Sequence, residues 1–220
     1  MDRKIQFASD EYYHLYARGI EKKEIFRNTS DYWRFLMLLY VANSDKTIHL
    51  SDYSLDQLSK IFSLPRNNTL IDIGAYCLMP NHWHLLVKAK SDSGVSLFMR
   101  KLLTGYSMFF NKKYDRTGGL FERPFKARHI NDDDYLNYLL AYIHLNPIKI
   151  KDPDSWSGKR IKNPKLADDF LNNYRFSSYS FYCGEDRPEN PIIQKNIFPE
   201  SSLKPDDFKE LIKNWVNFDY

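Results

Sequence analysis

Two histidines one residue apart, His82 and His84, are the first residues in this chain whose types and spacing suggest chemistry. They fall in an apolar, β-leaning run. Strand side chains alternate, so both imidazoles face one way and Trp83 the other. A pair of neutral imidazoles side by side is half of a metal site. The bare triplet is a weak motif, because two ordinary surface histidines satisfy it equally well. Tyr142 and Asn146 form a second constellation: their spacing of four puts a phenol and an amide oxygen on one helical face, where both can point at the histidine pair. Tyr135 and Tyr138 lie on nearly the same face and compete with Tyr142 for any role a phenol can play.

The charge distribution points to an anionic partner. The 220 residues carry a net charge of only +4, yet the span from Arg100 to Arg128 holds eight basic residues against Asp115 and Glu122. The rest of the chain has 24 basic and 26 acidic residues, so the excess sits in that one segment. Such clusters suit phosphate contacts, and Tyr114, Phe121 and Phe125 interleave aromatics fit to stack on unpaired bases. With 43% hydrophobic residues, the composition supports one compact domain plus an appendage and excludes a disordered chain. The two cysteines, Cys77 and Cys183, are too few for a disulfide framework in a chain of this length. Residues Met1 to Ala8 lack the apolar stretch of a signal peptide, and nothing reads as a membrane span, so the expectation is a cytoplasmic protein with free thiols.

The elements that must position these residues can be read in order. Tyr12 to Arg18, closed by Gly19, reads as a strand. Asp31 to Val41 reads as a helix behind possible caps at Ser30 and Asp31. The stretch 43–69 is a polar insertion with a short helical piece around Leu55 to Phe62. Leu70 to Met79 and His82 to Lys88 suit a hairpin turning at Pro80 and Asn81. Val95 to Tyr114 has helical apolar spacing. Leu120 to Ile130 reads as a strand or extended arm interrupted by Pro124, and Tyr135 to Asn146 as a helix ended by Pro147. This order predicts an α+β, ferredoxin-like (RRM-like) antiparallel sheet with helices on one face, spanning 1–150. Residues 151–220 form a C-terminal extension, with a Tyr-rich patch from Tyr174 to Tyr182 and an amphipathic helix over Asp206 to Val216.

Beyond these physical cues, the run Tyr76-Cys77-Leu78-Met79-Pro80-Asn81-His82-Trp83-His84-Leu85-Leu86-Val87 closely resembles the metal-binding strand of HUH-type single-tyrosine transposases. The family includes the REP-associated and IS200-like branches. The likeness continues through Phe98 to Leu102, Tyr106, Phe109 to Lys112, Gly119 to Phe121 and the run Tyr142-Ile143-His144-Leu145-Asn146-Pro147. Tyr13-His14 with Arg18-Gly19 resembles the family's opening strand. The resemblance implies that Tyr142 is the nucleophile and that His82, His84 and Asn146 hold a divalent ion, Mg²⁺ or Mn²⁺. It also implies a metal-dependent single-stranded DNA endonuclease and strand transferase with a 5′-phosphotyrosine intermediate. The expected partner is single-stranded or hairpin DNA, met by Arg18, Arg100, Lys112, Lys113, Arg116, Arg123, Lys126 and Arg128. The protein would act as a monomer or homodimer.

Asn146, where insertion-sequence members carry glutamine, leans toward the REP-associated branch. Tyr138 with Tyr142 resembles the paired tyrosines of some replication initiators and leaves a two-tyrosine mechanism open. His14, His49, His129 and His144 read as structural. One alternative is a domesticated, non-cleaving nucleic-acid-binding protein of the same fold. A small-molecule metallohydrolase would need further His or Asp ligands at strand ends.

Overall fold

The computed structural model describes residues 5–122, 124–151, 164–194, 197–198 and 204–216. Four strands, β1 (Tyr12–Arg18), β2 (Ile71–Met79), β3 (His82–Ala89) and β4 (Lys126–Ile130), form one antiparallel sheet in the order β2-β3-β1-β4. The helices of the expected core are α1 (Thr29–Ala42), α3 (Gly94–Lys113) and α4 (Asp133–Leu145). The insertion carries the short α2 (Leu55–Ser59) and closes on itself: buried Asn43 accepts from Leu70 N and Ile71 N and donates to Ile71 O. This is the α+β antiparallel sheet the element order predicts.

Period-two alternation divides the sheet. Trp83, Leu85 and Val87 of β3 are fully buried on one face. There Phe35 of α1 lies between Trp83, with ring centroids 6.0 Å apart, and Tyr106 of α3, 5.0 Å away. His82 and His84 point the other way, toward α4, where the His84 and Tyr142 ring centroids are 5.6 Å apart. Coverage by helices on one face therefore holds for α1 and α3. The helix α4 covers the second face, because Leu139, Leu140 and Ile143 bury there while Tyr142 meets the imidazoles.

Local chemistry sets the ends of these elements. The Asp31 carboxylate reaches back to accept from Arg27 N and Asn28 N at the start of α1. Asp132 caps α4 by accepting from Tyr135 N at 2.6 Å. The strand or arm expected from Leu120 shortens to β4, with a single bridge between Gly19 and Phe121, since Pro124 has no N–H to give the ladder. After β1 the chain turns hard against the β2–β3 hairpin: Gly19 N donates to Asn81 O, and a Cβ on Gly19 would lie 2.2 Å from Lys23 O.

Beyond α4 come α5 (Ile148–Lys151), α6 (Pro164–Asn173), α7 (Tyr179–Tyr182) and α8 (Pro205–Val216). The described part of this extension seals the outer edge of β2. Leu78 N donates to Phe176 O, Ser178 N to Tyr76 O and Gln194 N to Ile73 O. The register of β2 shifts between Ile73 and Ala75, where Tyr182 Oη donates to Gly74 O at 2.5 Å. The Tyr-rich patch is thus packing against the sheet, with Tyr179 and Tyr182 both 1% exposed.

Candidate active site

A cavity of about 260 Å³ opens on the α4 side of the sheet. Tyr16, Ala17, Arg18, His82, His84, Glu122, Pro124, Lys126, Tyr142 and Lys149 line it. Strand pairing explains the convergence, because Tyr16 lies opposite His84 and Arg18 opposite His82, while Lys126 lies opposite Tyr16 across the β1–β4 ladder. Residues directly opposite in a ladder share a face.

A hydrogen bond assigns the free nitrogen of His82, and a second contact engages one nitrogen of His84. Asn81 Nδ2 donates to Lys22 O, so its Oδ1 is an acceptor, and His82 Nδ1 lies 2.6 Å from that oxygen. His82 therefore carries its proton on Nδ1 and keeps a lone pair on Nε2. His84 Nδ1 lies 2.9 Å from His14 Nε2. When His84 donates in this contact, its Nε2 also presents a lone pair. Burial pushes His14 and His82 down to about 4 and His84 well below its ordinary value, with the neighbouring cations adding to the effect. All three are neutral near pH 7, as a ligand imidazole must be.

The third expected ligand is placed differently. Asn146 is fully buried; its Nδ2 donates to Tyr142 O at 2.7 Å and its Oδ1 accepts from Lys149 Nζ at 3.3 Å. The amide stands one turn behind Tyr142, with an ammonium on the oxygen a cation would use. Among the described residues, no group of three or more His, Cys, Asp or Glu is arranged to hold a metal. His82 and His84 both line the cavity, and Asn146 does not.

Tyr142 is half-buried and lines the cavity, whereas Tyr138 stacks on it at 5.9 Å without lining the cavity, and Tyr135 sits beyond Tyr138. Burial raises the Tyr142 phenol above its ordinary value, offset in part by the Asn146 amide. The basic residues separate into two groups. Arg18 and Lys126 line the cavity, and Arg128 lies opposite His14 on the same face, its guanidinium 4.1 Å from the Tyr135 ring centre. Arg100, Lys112, Lys113 and Arg116 belong to α3 and its end, across the sheet. Lys113 is committed there, donating at 2.6 Å to the wholly buried Asp31 carboxylate, and Arg116 donates to Asn111. Arg123 lies outside the described residues.

The aromatics expected to stack on bases are packed instead. Phe121 and Phe125 are buried, and Tyr114 donates to Asp31. Sequence reasoning missed Tyr16, Glu122 and Lys149 as cavity residues, and His14, read as structural, contacts His84 without lining the cavity. The pairing of β1 with β3 brings residues 14 and 16 onto the face that 82 and 84 occupy, and no spacing in the sequence signals it. Of the other histidines, His144 fits the structural reading: fully buried, it lies 2.8 Å from Leu140 O and 2.7 Å from Ser178 Oγ.

No helix among the described residues is long and apolar enough to cross a membrane. No curated protein matches the chain. A solved structure of a REP-associated tyrosine transposase bound to a REP hairpin shares the fold with a TM-score of 0.52 at 10% identity, covering 93% of this chain and 96% of that one. A family model described as IS200-like transposase matches residues 8–146, from just before β1 through Asn146. The strands and helix that build the cavity and all of its lining residues except Lys149 lie within that match, and the chain belongs to the IS200-like transposase family.

Proposed function

We propose that the protein is a metal-dependent endonuclease and strand transferase acting on single-stranded DNA, with hairpin-containing DNA as its partner. The observation that carries this reading is the meeting of one phenol, Tyr142, with two neutral imidazoles in a cavity bordered by Arg18, Lys126 and Lys149. A phosphodiester entering this cavity meets positive charge on its non-bridging oxygens. His82 and His84, with Asn146 as the third ligand, would hold Mg²⁺ or Mn²⁺, which supplies Lewis-acid polarisation of the phosphate when bound. Tyr142 Oη forms a bond to phosphorus and the P–O3′ bond breaks. The phenol proton is lost and the departing 3′-oxygen gains one, leaving a 5′-phosphotyrosine and a free 3′-hydroxyl. The phosphodiester bond energy is conserved in the link, so a second 3′-hydroxyl can displace the tyrosine without ATP.

The raised pKa of Tyr142 means that its phenol must be helped to ionise within the site. Deprotonation beside Arg18, Lys126 and Lys149 is easier than it would be in an apolar pocket. The test is incubation with Mn²⁺ and a pool of hairpin-flanked, random-sequence single-stranded DNA, followed by denaturing electrophoresis. A covalent protein–DNA band that disappears in chelator is the expected result. Binding with no covalent band would establish instead a non-cleaving nucleic-acid-binding protein of the same fold.

A further inference from the structure

Lys149 owes its position to the end of α4. Pro147 cannot continue the helical ladder, and the chain turns at once into α5, with Lys149 N donating to Asn146 O. Two effects follow: the side chain folds back over the cavity, and its ammonium lies 5.3 Å from the Tyr142 ring centre and 3.3 Å from Asn146 Oδ1. No carboxylate among the described residues pairs with it. A half-buried lysine that meets no carboxylate among the described residues is costly for stability alone, so the position suits a ligand. Its charge also reaches the imidazoles, adding to the effect of burial on His82 and His84.

A single amide oxygen is poorly placed to serve an ammonium and a divalent cation together, because the two cations repel strongly at such separations in a half-buried site. Resting on the proposed strand-transferase reading, we propose that Lys149 is a tethered cation of the active site. In the free protein its ammonium occupies Asn146 Oδ1 and opposes metal binding; in the DNA complex it moves onto a non-bridging oxygen of the scissile phosphate. The ammonium makes only ionic and hydrogen-bonding contacts, and no bond to it forms or breaks. One residue then links the two ligands: the incoming phosphate draws the ammonium away, and the site accepts its ion in the same event.

Two variants test this. Lys149→Met keeps length without charge, and Lys149→Arg keeps charge. In a titration of the DNA-free protein with Mn²⁺, followed by electron paramagnetic resonance of the free ion, Lys149→Met is expected to bind at least about threefold more tightly than wild type. In single-turnover adduct formation at saturating Mn²⁺ on the hairpin-flanked pool, it is expected to be slower by about 100-fold, with Lys149→Arg recovering most of the rate. A merely structural lysine would weaken both properties together. Parallel losses, or no change in either, overturn the proposal. Wild-type adduct formation run alongside separates the failures, since its absence refutes the transferase reading, whereas its presence with an unaltered Lys149→Met refutes the role of Lys149.

Discussion

The two faces of β3 carry residues one position apart to opposite ends. On the α1–α3 face, Trp83, Leu85 and Val87 are wholly buried in apolar surroundings, and Phe35 and Tyr106 continue the packing behind them. On the α4 face, His82 and His84 sit among Tyr16, Arg18, Lys126, Tyr142 and Lys149 around a cavity. The first face supplies hydrophobic stabilisation. The second concentrates desolvated imidazoles, three cations and a phenol with a raised pKa, an arrangement that costs stability and marks a candidate site. Alternation lets one strand hold both, and the packed face fixes the geometry of the other.

The contrast is broken most severely at neighbouring positions. Trp83→Ala is expected to destabilise the fold by about 3–5 kcal/mol, since it empties a closed core site, and chemical denaturation measures it. His84→Ala is expected to leave the denaturation midpoint near wild type while Mn²⁺ affinity, read by calorimetry, falls by more than about 100-fold. Equal stability losses with retained metal binding would show that both faces are simply core.

A smaller effect is expected one strand away. His14 Nε2 contacts His84 Nδ1, so His14 sets which His84 nitrogen faces a ligand. His14→Phe is expected to weaken Mn²⁺ binding by about 10-fold, the usual range for an outer partner of a metal-bound histidine, and His14→Gln, which keeps an acceptor, to restore part of it. Unchanged affinity in His14→Phe would return His14 to a packing role.

Much of this was legible in the sequence. The order of elements, the two-residue hairpin turn at Pro80-Asn81 and the shared face of His82 and His84 all follow from local patterns, as does the end of α4 at Pro147. What depended on strand pairing was not. No spacing rule places His14 against His84, residues from strands separated in sequence by a helix and an insertion. The same holds for Lys149, since no local pattern after Pro147 predicts that it turns back over Tyr142. The basic segment divides for a related reason: residues close in sequence from Arg100 to Arg128 end on opposite sides of the sheet, and Lys113 is held by Asp31.

That division gives the smallest expected effect. Neutralising Arg18, Lys126 and Arg128 together should flatten the dependence of log affinity for single-stranded DNA on log salt by about 2, at roughly 0.7 per lost phosphate contact. Neutralising Arg100, Lys112 and Arg116 should leave the slope nearly unchanged. A reversed outcome would place the DNA path across α3.

The central claim is that the Tyr142 phenol attacks the phosphate, and peptide mapping of the covalent adduct by mass spectrometry tests it most directly. The account predicts a nucleotide mass on Tyr142, with no adduct in Tyr142→Phe and a normal one in Tyr138→Phe. A nucleotide carried on Tyr138 or Tyr135, or an adduct persisting in Tyr142→Phe, would contradict it.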